Sequence, residues 1–169
     1  MKRTWFVLLL VLISVLMSCK YRIPKPPITD KDLRDRYLMM KEWQTNFEEA
    51  QSIARLTNRH ILMNFSGSDW CMPCMRLHKD MDEHNGFLSF SQRYVVLLKV
   101  DFPRLRKNRL SKKQLAHNEM LAAEFNKEGQ FPYTILMDEE GKPIKTWAGY
   151  EKGELDEMMD SIRETIEGN

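Results

Sequence analysis

Trp70-Cys71-Met72-Pro73-Cys74, with Ile61-Leu62-Met63-Asn64-Phe65 before it and Met75-Arg76-Leu77-His78-Lys79-Asp80-Met81 after it, is the stretch on which the fold turns. The apolar run at 61–65 predicts a buried strand, and the segment from Met75 is helix-compatible. Cys71 therefore falls where a strand ends and a helix begins. There the unpaired backbone N–H groups and the positive end of the helix dipole favour a thiolate over a thiol. Cys74 lies one turn further in, within reach to close a disulfide. Two other readings of the pair stay open on these residues: buried thiols paired by chance, and half of a zinc site. Zinc needs two more ligands. The chain's other cysteine is Cys19, and His60, His78, His84 and His117 form no pair at zinc-finger spacing.

Trp-Cys-x-Pro-Cys after a hydrophobic strand resembles the active site of thioredoxin-fold oxidoreductases. Val95-Val96-Leu97-Leu98-Lys99-Val100-Asp101 resembles that fold's central strand, and Ala123-Glu124-Phe125-Asn126 to Gly129 resembles the helix end that follows. Phe131-Pro132-Tyr133-Thr134-Ile135-Leu136 resembles the segment with the family's cis-proline, and Asp138-Glu139-Glu140-Gly141-Lys142 is a good hairpin turn. These pieces occur in the family's order from about Trp43 to the C-terminus. The resemblance implies an α/β thioredoxin fold, a central mixed β-sheet flanked by helices on both faces. It also implies Cys71 as nucleophile, Cys74 as resolving thiol, and Pro132 as the proline beside them. Pro73 shapes the first helical turn, where proline costs no hydrogen bond. Trp70 packs beside the sulfurs or fills core.

The chain departs from the family pattern at several points. Where the best-known members bury an aspartate below the cysteines, the alignment places Asn64, which cannot titrate. Proton transfer is then left to water or to His78, which is otherwise a surface helix residue. Asp69 is expected at the exposed end of the Ser66-Gly67-Ser68-Asp69 lead-in. Pro103 to Asn118 reads as an enlarged loop carrying Arg104, Arg106, Lys107, Arg109, Lys112 and Lys113. It is expected to be a solvated face, with docking of acidic partners as the alternative.

The first eighteen residues stand apart. Lys2 and Arg3 precede an apolar run from Trp5 to Met17, shorter than the ~20 residues of a membrane span and suited to a secretory signal. Leu16-Met17-Ser18-Cys19 resembles the lipobox of bacterial lipoproteins, which implies cleavage before Cys19 and lipidation of its sulfur. The expected organisation is a signal peptide at 1–18, a lipidated cysteine with a proline-rich tether at 19–28, and a thioredoxin-like domain at 29–169. Removing Lys2 and Arg3 from 26 basic residues leaves 24 against 24 acidic ones, a neutral balance that does not suggest nucleic-acid binding.

Within the domain, Thr29 and Asp32 mark a short helix continuing through Leu33, Tyr37, Met40 and Lys41. Glu42–Thr45 is expected as a first strand, with helices over Phe47–Leu56, Gly86–Gln92 and Gly153–Ile166, and a strand over Tyr94–Asp101. The expected protein is a lipid-anchored, periplasm-facing thiol–disulfide oxidoreductase of the bacterial cell envelope that reduces or isomerises protein disulfides, with no cofactor or metal. Its partners are disulfide-containing envelope proteins and a membrane thiol electron donor. Two rivals are a copper(I)-handling protein, using Cys71, Cys74, Met72, Met75 and His78, and a binding module with a structural disulfide.

Overall fold

A computed structural model describes residues 29–38 and 42–168. The expected signal peptide and tether, Cys19, Met40 and Lys41 lie outside the described residues. The element order is α1 Asp30–Leu38, α2 Phe47–Thr57, β1 His60–Ser66, α3 Met72–Glu83, α4 Phe87–Tyr94, β2 Val95–Asp101, a 3₁₀ turn Arg106–Asn108, α5 Lys112–Phe125, β3 Tyr133–Met137, β4 Pro143–Ala148 and α6 Glu154–Glu167. No helix among the described residues is long and apolar enough to cross a membrane.

The sheet order is β2-β1-β3-β4. β1 runs parallel to β2 and antiparallel to β3, and β3 pairs with β4 in a hairpin. Side chains alternate across each strand, so β1 divides its residues between two apolar layers. Ile61, Met63 and Phe65 pack with Ala50 and Ile53 of α2 and Leu121 of α5. Leu62 packs with Leu77 and Met81 of α3, Phe90 of α4 and Met158 and Ile162 of α6. Helices thus cover both faces of a mixed sheet, and the second layer presses α3 against the strand that leads into it.

Local signals account for most boundaries. Asn46 caps α2, its side chain accepting from the Glu49 N–H at 2.7 Å. Thr29 and Asp32 form a reciprocal capping box for α1. The hairpin turn closes with Gly141 at φ 83°, and Asp138 accepts from the N–H groups of Glu140 and Lys142. Arg59, 5% exposed, donates to the carbonyls of Tyr37, Gln92 and Val95 and so ties α1, α4 and β2 together.

Two expectations fail. Glu42–Thr45 is not a strand: Gln44 makes one isolated parallel bridge to Leu98. Its N–H donates to the Leu97 carbonyl and its carbonyl accepts from Lys99, while no residue beside it continues the ladder. Pro103–Asn118 is not one long loop either. It contains the 3₁₀ turn and the first half of α5, which Ser111 caps by accepting from the Gln114 N–H at 3.1 Å.

Candidate active site

β1 ends at Ser66, and a tight turn follows in which the Gly67 carbonyl accepts from the N–H groups of Trp70 and Cys71. Cys71 is the N-cap of α3, with Pro73 in its first turn. Its Sγ accepts from the Cys74 N–H at 3.3 Å, so the sulfur occupies the place a capping hydroxyl usually takes. The two cysteines form a disulfide with Cα atoms 5.2 Å apart. Cys71 is 5% exposed and Cys74 is 0% exposed, so access from solvent is to the first sulfur.

Trp70 is half-buried. Its indole N–H donates to the Phe102 carbonyl at 2.7 Å, and its ring meets Phe131 edge-on at 5.3 Å. The Phe131–Pro132 bond is cis. A Cβ on Gly67 would sit 2.3 Å from the Trp70 ring, so the turn approaches the indole closely and admits no side chain there. Asp69, expected at an exposed loop end, instead accepts from the Arg104 and Leu105 N–H groups and the Asn108 side-chain amide, all within 2.9 Å. The Arg104 N–H, aided by the other two donors, holds its carboxyl below the usual carboxylate range. Nothing near Asp69 in sequence signals this, because its partners lie 35–39 residues away.

Asn64 is fully buried on the α3 side of β1. Its Nδ2 donates to Thr134 Oγ at 2.9 Å, and its Oδ1 lies 3.1 Å from Nε2 of His78. With the amide oriented by Thr134, His78 Nε2–H is the donor to Asn64. His78 is therefore not a surface residue: it meets Trp43 edge-on at 5.0 Å and shares a shallow cavity with Ser68, Met75, Lys79, Asp82, Glu83 and Lys99. A signal for this existed. Cys74, Leu77, His78 and Met81 follow the spacing of one buried helix face.

Burial first, and then Lys99, lower the His78 pKa from 6.5 to about 4, with Asp101 opposing. The unfolded chain consequently binds more protons between those values. Stability should be fully present above pH ~6.5 and lost as pH falls toward 4, by about 2–3 kcal/mol from this group. His78→Gln, which keeps a donor for Asn64, should flatten that loss in urea unfolding between pH 4.5 and 7.5. An equally acid-sensitive variant would remove His78 as its source.

A buried strand, a cysteine at the helix start, a second one behind it and a cis-proline segment whose Phe131 meets Trp70 define a thioredoxin-type dithiol site. The sequence model of the thioredoxin-like domain matches residues 47–163, and the chain belongs to that family. It is 30% identical over 112 residues to the disulfide bond reductase DsbH of Chlamydia pneumoniae, covering 66% of this chain and 64% of that protein. It is 25% identical over 157 residues to the thioredoxin-related protein DsbJ of the same organism, covering 93% and 44%. The chain thus spans less than two thirds of the length of these curated relatives. A solved DsbH oxidoreductase superposes with a TM-score of 0.65 at 26% identity, over 76% of this chain and 85% of that one. A thioredoxin from Thermus thermophilus shares the fold, with a TM-score of 0.55 at 14% identity over 75% and 88%.

Proposed function

We propose that this chain is a lipid-tethered thiol–disulfide oxidoreductase of the cell envelope that reduces or isomerises protein disulfides. The observation carrying the reading is Cys71 Sγ at the first turn of α3 with Cys74 sealed behind it. In the reduced protein the Cys71 thiolate attacks a substrate disulfide, forms a mixed disulfide and releases one substrate thiolate. Cys74 then gives up its proton and attacks Cys71 Sγ. This releases the second substrate sulfur and leaves the Cys71–Cys74 disulfide. Two electrons have passed to the substrate, and a membrane thiol donor restores the dithiol. Trp70, the residue before Cys71, and the cis Phe131–Pro132 segment that its ring meets shape the surface the substrate meets.

Reduction is the favoured direction. Proline stands before Cys74 as in reducing thioredoxins, and the DsbH relative carries the name of a reductase. The copper alternative gains no support from the geometry. Met72 is 66% exposed while His78 Nε2 turns inward to Asn64, so its donors do not converge.

Equilibrating the full chain in dithiothreitol buffers and counting alkylatable thiols tests the reading. The pair should titrate as a two-electron couple nearer −270 than about −120 mV, the span of this fold. A pair that stays oxidised far below that range would instead be a structural disulfide. The tether rests on Leu16–Cys19 after a short apolar core. Cys19→Ser should abolish acyl labelling and release or stall the protein, since two or three acyl chains anchor far more firmly than none. Unchanged membrane retention of a fully processed serine variant would overturn it.

A further inference from the structure

Between Asp101 and Glu119 the chain has no acidic residue and six lysines and arginines, in a protein with 26 basic and 24 acidic residues overall. The fold brings this run to the redox site. Asp69, two residues before Cys71, accepts from the Arg104 and Leu105 N–H groups and from Asn108, and so fastens the segment to the active-site turn. Trp70, the residue just before Cys71, donates to the Phe102 carbonyl, and the Arg104 guanidinium lies 3.8 Å above its ring. Arg104, Arg106, Lys107 and Arg109 are all exposed. Among the described residues none of them lies within ion-pair distance of a carboxylate. Asp69, whose oxygens accept from the Arg104 and Leu105 N–H groups and from Asn108, forms no ion pair with these cations, and its single negative charge leaves the segment net positive. Met72, 66% exposed, and Leu105, 48% exposed, add apolar contact area.

We propose that the 104–109 segment is a docking surface that selects disulfide partners carrying acidic residues next to the reacting cysteine. The inference rests on the oxidoreductase reading above and names its substrate class. A partner must bring its own sulfur to Cys71, so the residues flanking that sulfur cross Trp70 and the segment fastened to it. Carboxylates there meet an array of unpaired cations, while lysines there are repelled. Such complementarity acts mainly on association, where steering is worth 10- to 1,000-fold at low ionic strength. It decays over a Debye length of about 10 Å at 0.1 M salt. An anionic membrane surface would satisfy the same charges, but it would also cover Cys71, where a substrate must enter.

The test uses the reduced full chain in neutral detergent. Two peptide disulfides, identical except for Glu or Lys on either side of the cysteine, are compared with uncharged hydroxyethyl disulfide. In low salt the Glu peptide should react at least about 10-fold faster than the Lys peptide, and the gap should close in ~0.5 M salt. Arg106→Glu with Lys107→Glu should invert the preference. Equal rates for the two peptides, with hydroxyethyl disulfide still reduced, would overturn the docking surface alone. A preference that survives the charge reversal would overturn its assignment to this segment. Failure to reduce hydroxyethyl disulfide would bring down the oxidoreductase reading and this proposal with it. Phosphatidylglycerol vesicles that bind the protein and shield Cys71 from alkylation would assign the segment to lipid and overturn the proposal.

Discussion

Cys74→Ser is expected to leave substrate proteins covalently attached to Cys71. Position 74 is fully buried and its N–H caps the Cys71 sulfur, so a serine of nearly the same size keeps both the packing and the cap. The first exchange should proceed, because it needs only the Cys71 thiolate. The second should stall, since a hydroxyl cannot displace the substrate sulfur. Release then depends on outside thiols, and uncatalysed disulfide rearrangement takes minutes to hours. The measurement is recovery of adducts under non-reducing conditions and their mapping by mass spectrometry, with Cys71→Ser as the partner experiment. That second variant should trap nothing. Adducts on Cys74 in the Cys71→Ser protein, or none in either variant, would reverse or remove the assigned roles.

Asn64→Asp should change both stability and the pH profile of the resolving step. The site offers a carboxylate two neighbours, Thr134 Oγ and His78 Nε2, in a fully buried position. Burial raises the pKa of an aspartate above its unfolded value of about 3.9. Between those two values the folded state binds the extra proton, so stability falls as pH rises through the window. A charge left without compensation costs about 3–5 kcal/mol, and His78 offsets part of that if the new carboxylate draws a proton onto its ring. The alignment with the family puts position 64 below the cysteines, where a carboxylate would give Cys74 an acceptor for its proton. Decay of a Cys71 mixed disulfide, followed from pH 5 to 9, should then speed up and acquire an inflection absent from the parent. Urea unfolding over the same range measures the cost. If neither changes, position 64 is not coupled to the cysteines.

The parts of the fold that were legible in the sequence are those with a local cause. The run Ile61–Phe65 reads as a strand because it is apolar except at Asn64 and ends in a polar turn, and α2 and α6 followed from apolar spacing and, at Asn46, a cap. What escaped was decided at long range or by a muted pattern. Trp43 and Thr45 are strand-favouring residues, yet of the Glu42–Thr45 segment only the peptide groups of Gln44 meet β2. α5 buries only Asn118 and Leu121, so its start carried little periodicity, and the Ser111–Gln114 capping pattern was the better guide. The cysteines could be placed from their neighbours. The bonds of Asp69 could not be read the same way, because its partners Arg104, Leu105 and Asn108 are distant in the chain, whereas the inward face of His78 was legible in its helical spacing and only its partner Asn64 was not.

The absence of room for a Cβ at Gly67 links two positions through evolution as well as in space. Any lineage that acquires a side chain at 67 must first shrink or swing the indole at 70. The indole is also what receives Arg104 and holds the Phe102 carbonyl. Substitutions at 67, 70 and 104 should therefore travel together among relatives, with glycine and tryptophan lost jointly. A relative that keeps its cysteines but lacks this glycine should present a differently charged mouth, and so have drifted to another clientele.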